Sequence, residues 1–176
     1  MLHRDKKILE FWDRGGQLNI KNKEYRDLIK ENKDIFFSYA LMTIENNEAS
    51  PWQLGFYNKS TDKITTFVIG KDEISVQKED EVFKKPGMEV KPIEIEKAKL
   101  KFNEIMEKAK NFKKEKYPKE IISKTIGILQ NIEDYGTIWN ITFVTDSFKT
   151  LNMKINPQNG EIMHHNLDSL MSFVKK

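Results

Sequence analysis

The chain has 176 residues, of which 38% are apolar and 32% charged, and its 11 Phe, 5 Tyr and 3 Trp are too many aromatics for a disordered segment. That length suits one domain, or two small halves sharing a core, and removes roughly 70% of the unfolded surface from water. With no cysteine there are no disulfides, thiolate nucleophiles or cysteine-ligated metal centres, and a net charge of +3, with arginine confined to Arg4, Arg14 and Arg26, is a weak footprint for nucleic acid.

Residues 1–16 alternate charged and apolar positions and contain no apolar run of signal-peptide or membrane-span length, so a soluble, cytoplasmic chain is expected. Within them Ile8, Leu9, Phe11 and Trp12 form one face of a short helix that Gly15 and Gly16 stop. Residues 23–34 place Tyr25, Leu28 and Ile29 at helical spacing among charges, the pattern of an amphipathic helix resting on a sheet.

The period then changes. Residues 35–46 are β-branched and aromatic, with Phe37, Tyr39 and Leu41 on one face and Phe36, Ala40, Met42 and Ile44 on the other. Turn residues punctuate three shorter runs, 52–57, 63–69 and 74–77, which predicts a four-strand meander after one helix. Residues 78–92 carry charges, a Pro-Gly pair and a second proline, and read as a linker.

Residues 93–112 give the clearest helical period, with Ile95, Ala98, Phe102, Ile105, Met106, Ala109 and Phe112 in steps of three or four. Pro118 ends that helix, because it disfavours helical geometry at Tyr117 and lacks an N–H of its own. Strands follow at 120–132, 139–145, 150–156 and 161–166, with Pro157 and Gly160 shaping the last turn, and residues 167–176 read as a terminal helical turn or two. Both halves thus read as a helix, a long apolar strand and three shorter strands, with Trp52 and Trp139 at matching places 87 residues apart, the signature of an internal duplication.

Tyr117 and Pro118, the run "WNITFV" at 139–144 and the run "MKINPQNGEIM" at 153–163 resemble the PepSY family. Asn156 stands where that family commonly has aspartate and Asn159 where it commonly has threonine. The resemblance covers about residues 93–165 and, more faintly, 23–77. It implies an α+β fold of two PepSY-like repeats, each one helix packed on an antiparallel meander of about four strands. The expected layout is an N-terminal helix in 1–20, a first repeat in 21–80, a linker in 81–92 and a second repeat in 93–176, the two sheets either packing face to face or joining edge to edge. PepSY-like domains occur in propeptides that inhibit secreted peptidases and in cell-envelope proteins, and are not known as catalysts in themselves.

The residues weigh against chemistry in the same direction. His164 and His165 are adjacent, so on a strand their imidazoles point to opposite faces and do not converge on one ion, even with Asp168 nearby; His3 sits at the chain's start. No metal and no cofactor is expected. The acids Asp72, Glu73, Glu133, Asp134 and Asp146 fall in turns, where water keeps carboxylates from the separated pKa values that acid–base work needs. Lys108, Lys110, Lys113, Lys114, Lys116 and Lys119 form a basic run that suits a helix C-terminus better than a nucleic-acid surface. The remaining candidates are sheet aromatics able to line a groove: Tyr39, Trp52, Tyr57, Trp139 and Phe143, with Phe56 beside them. The expected function is a non-catalytic module binding a protein or peptide through a sheet face or a strand edge, with no membrane partner. A self-associating structural subunit is the alternative, followed by a small-ligand carrier or enzyme with a pocket between the halves near Tyr39, Tyr57 or His164.

Overall fold

A computed structural model describes residues 34–70, 74–81 and 89–170. They form nine strands: β1 (Ile35–Glu45), β2 (Glu48–Ala49), β3 (Trp52–Asn58), β4 (Lys63–Ile69), β5 (Ile74–Glu81), β6 (Ile122–Ile132), β7 (Gly136–Thr145), β8 (Lys149–Ile155) and β9 (Ile162–Ser169). One α-helix, α1 (Phe102–Lys116), and a 3-10 turn at Ile95–Lys97 lie between β5 and β6. All nine strands belong to one antiparallel sheet of order β5-β4-β3-β1-β6-β7-β8-β9, with β2 paired to β1.

This corrects the expected α+β architecture of two repeats, each with its own helix. The described residues are mostly sheet and contain a single α-helix, and the two meanders are fused through β1 and β6, which pair from Tyr39↔Gln130 to Glu45↔Lys124. The physical reason lies in the two long strands. Each is long enough to pair on both sides, β1 with β3 and β6, and β6 with β1 and β7, and their ends are held by a Glu45–Lys124 ion pair of 3.0 Å. Within the fused sheet, residues 87 apart occupy matching places: Ala40↔Leu54 in one ladder corresponds to Gly127↔Ile141 in the other, and Trp52 to Trp139. Residues 1–33, where two helices are expected, lie outside the described residues, as do residues 82–88 of the expected linker, while residues 78–81 of the stretch read as linker instead continue β5.

The helix expected at 93–112 begins later and ends later than its periodicity predicts. Pro92 precedes an extended run in which the Ile93 N–H donates to the Phe37 carbonyl (3.0 Å), and Lys99 and Leu100 both donate to the Pro157 carbonyl. Ile93 and Ile95 enter the core from this run rather than from a helix. At Lys101 the Glu104 carboxylate accepts the backbone N–H at 2.8 Å, half of a capping box, and the helix then runs to Lys116, just before Tyr117 and Pro118. The C-terminal helical turn expected over 167–176 is corrected at its start, since β9 continues through Leu167 and Asp168 to Ser169, and residues 171–176 lie outside the described residues.

Helix α1 buries Ile105, Met106 and Ala109 against one face of the sheet, where Leu129, Trp139, Ile141, Phe143, Leu151, Met153 and Ile155 meet it. Alternation aims odd residues of β7 and β8 at that face. Two glycines fit particular contacts. A Cβ at Gly127 would stand 2.6 Å from the Phe102 ring, and a Cβ at Gly55 would stand 2.0 Å from the Tyr39 ring. The first lets the helix's leading aromatic reach the strand backbone. No described helix is long and apolar enough to cross a membrane.

Candidate functional site

The five sheet aromatics lie on opposite faces. Trp139 and Phe143 have no exposed surface, and Trp52 packs with Trp139 (6.2 Å between ring centroids) and edge-on to Phe102 (5.1 Å) beneath the start of α1. The Trp139 indole N–H is buried with no hydrogen-bond acceptor, and its ring lies 5.1 Å from that of Phe102. Tyr39 and Tyr57 face the other way. The Tyr39 ring lies on Gly55 and its hydroxyl bonds the Thr66 hydroxyl at 2.8 Å, while the Tyr57 hydroxyl donates to Asp62 at 2.5 Å beside the Phe36 ring. Burial raises the Tyr39 pKa, the Thr66 hydrogen bond pulls it back, and the Asp80 carboxylate adds to the rise. Both phenols are therefore engaged in holding strands together, and no common groove unites the five residues.

The acids and lysines are dispersed in the same manner. Glu133, Asp134 and Asp146 are exposed in turns, and Asp72 and Glu73 lie outside the described residues. Lys110, Lys114, Lys116 and Lys119 are exposed; the Lys108 stem covers Gly160 in the β8–β9 turn. Among the described residues no group of three His, Asp or Glu side chains is placed to hold a metal ion.

One ionised cluster escaped sequence reasoning. Glu120, 8% exposed, accepts from Lys149 Nζ at 2.7 Å and from the Ser147 hydroxyl, tying the entry of β6 to the β7–β8 hairpin. The Lys149 hydrogen bond, followed by that of Ser147, lowers its pKa to about 2. A carboxylate held that low stays ionised and is a strut rather than a proton donor. Nothing local distinguishes Glu120 from the surrounding charges, because its partners lie 27 and 29 residues away.

The histidines do come together with other aromatics, on the outermost strand. His165 Nδ1 and the Tyr117 hydroxyl share a hydrogen bond of 2.8 Å, and the Phe112 ring stands edge-on to the same imidazole at 4.8 Å, so the C-terminus of α1 fixes this residue. On the opposite face His164 pairs across the ladder with Lys154, and the Tyr135 ring meets both, its centroid 6.3 Å from the imidazole and 4.7 Å from the ammonium. The two imidazoles thus diverge, as the alternation of a strand requires.

The backbone of β9 presents hydrogen-bonding groups outward. The Leu170 N–H donates to the Phe148 carbonyl at 2.9 Å, in the register that continues as Thr150↔Asp168, Asn152↔Asn166 and Lys154↔His164. In an antiparallel ladder a residue's N–H and C=O point to the same side, and the side alternates along the strand. Residues 164, 166 and 168 therefore bond β8, while the N–H and C=O of His165 and Leu167 point away from the sheet. No described strand pairs with that side of β9, and the side chains of His164, His165 and Asn166 are exposed.

The opposite edge differs. β5 carries Lys78, Glu79, Asp80 and Glu81, and its ladder with β4 slips between Ile64 and Thr66, both features that discourage a further strand. β9 has no lysine and no proline, and its one fixed charge is Asp168. No family model matches the chain, and no match was found among curated proteins or solved structures.

Proposed function

We propose that this protein is a non-catalytic binding module that takes an extended segment of a protein partner alongside β9. The observation that carries this reading is the outward backbone of His165 and Leu167 on an edge strand that lacks the charges guarding β5. Helix α1 supports it by pinning His165 through Tyr117 and Phe112, which pre-orders the strand before a partner arrives. The reading is non-catalytic because the groups best suited to chemistry, Tyr39, Tyr57 and Glu120, are committed to internal bonds.

Selection from displayed random octapeptides tests the reading. Selected peptides should slow amide exchange at His165 and Leu167, and should lose binding to His165→Pro, which removes an outward donor that β8 does not use. Variants are compared only where the far-ultraviolet spectrum matches the parent's. Peptides that protect another surface, or that bind His165→Pro equally well, overturn it.

A further inference from the structure

We infer that the partner at this edge is a second copy of the chain, its β9 added antiparallel with Asn166 opposite Asn166 of the second copy. This rests on the edge-binding reading above and names the partner. The outward groups fix the parity of the register: His165 and Leu167 must bond across the new ladder, so His165 pairs with Leu167 of the second copy and Leu167 with its His165. Each such pair exchanges two backbone hydrogen bonds, hence four in all.

Side-chain complementarity, an imidazole N–H facing a carboxylate, then selects this register among those of the same parity. It sets His164 of each copy opposite Asp168 of the other, in the closely spaced, non-hydrogen-bonded positions where cross-strand side chains interact best. The register centred on His165 instead opposes the two His165 imidazoles, and the register centred on Leu167 leaves His164 without an acid. Asp168 already accepts from the Asn166 amide at 2.7 Å, which holds its carboxylate on the face that His164 of the second copy would reach. The chain contains a precedent for the joint. Its two meanders meet through antiparallel β1 and β6, closed at one end by the cross-strand pair Glu45–Lys124.

The two-fold axis runs normal to the sheet, so both copies of α1 lie on the same face of one continuous sheet. The opposite edge strand, β5, is the less regular template, since its ladder with β4 slips between Ile64 and Thr66. Joining two short strands covers far less area than a standard protein interface, so association is expected in the micromolar range.

Sedimentation equilibrium from low to high micromolar concentration tests the inference. The parent should form a dimer, and exchange at the His165 and Leu167 amides should slow as it forms. His164→Glu places acids opposite Asp168 at both ends and should weaken the dimer roughly tenfold. The double variant His164→Glu with Asp168→Lys should restore it, and Asn166→Lys, which sets two ammonium groups together on the axis, should weaken it again. A strictly monomeric parent, a dimer with unprotected His165 and Leu167 amides, or a double variant no tighter than His164→Glu alone would each overturn self-pairing. A monomer whose β9 is protected by a selected octapeptide would overturn this inference and leave the edge-binding reading standing.

Discussion

Replacing Gly55 by alanine should reverse the sign of its effect on stability when Tyr39 is also removed. Gly55 lies directly opposite Tyr39 in the β1–β3 ladder, and a Cβ there would fall 2.0 to 2.6 Å from three ring atoms. Its backbone is extended, so the substitution meets no conformational strain and its cost lies in the contact alone. The ring must swing away, which disrupts its packing for roughly 1–3 kcal/mol and breaks the 2.8 Å bond to Thr66, worth about 1 kcal/mol. Gly55→Ala alone should therefore destabilise by about 2–3 kcal/mol, which for a chain of this size lowers Tm by roughly 5–10 °C. With Tyr39→Ala in place the space is open, and alanine in a strand is favoured over glycine by roughly 0.5–1 kcal/mol. The coupling, read by urea denaturation of the four species, is then about 3 kcal/mol, beyond the additivity error of about 0.5 kcal/mol. Additive effects would refute the placement of the ring on the Gly55 backbone.

The β8–β9 turn offers a parallel test: Gly160 (φ +77°) and Gly136 (φ +69°) both adopt left-handed geometry, but only Gly160 faces Lys108 and Leu100. Alanine at Gly136 should cost about 1 kcal/mol from strain alone, while asparagine, which tolerates that geometry, should be nearly neutral there and still destabilising at Gly160, as measured by thermal melting. Acid should weaken the fold through Glu120. Its folded pKa is lowered from 4.5 to about 2, so its contribution is fully present above the unfolded value and disappears as pH falls through that interval; Glu120→Gln should flatten the stability–pH curve between those limits. Met153→Ala, at a fully buried site beneath α1, should cost 2–5 kcal/mol by the usual cavity rule, seen as a lower urea midpoint; a cost under about 1 kcal/mol would show that the core there is loosely packed.

Much of the local structure was legible because its signals are local. Period-two alternation located β6 to β8 within a few residues, Pro118 marked the end of α1, and the opposite facing of His164 and His165 follows from their adjacency. Helical spacing from Ile95 misplaced the start of α1, because Ile93 and Ile95 are apolar for the core, while the Ile93 N–H goes to Phe37, the Ile95 carbonyl to the 3-10 turn, and the N–H groups of Lys99 and Leu100 to Pro157. The aromatics were visible as sheet residues, yet periodicity could not say which face α1 would cover. That separates Trp139 and Phe143, sealed beneath the helix, from Tyr39 and Tyr57 on the other side.

By itself, the sequence determined where the backbone is extended and where it turns, since apolar alternation and turn chemistry act between near neighbours. Only tertiary structure decided that β1 and β6 join two meanders into one sheet, leaving β5 and β9 as its edges among the described residues. Strand neighbours so far apart in the chain are chosen by mutual burial and register, quantities that exist only once both strands are in place. The outward groups of His165 and Leu167 are a consequence of that choice.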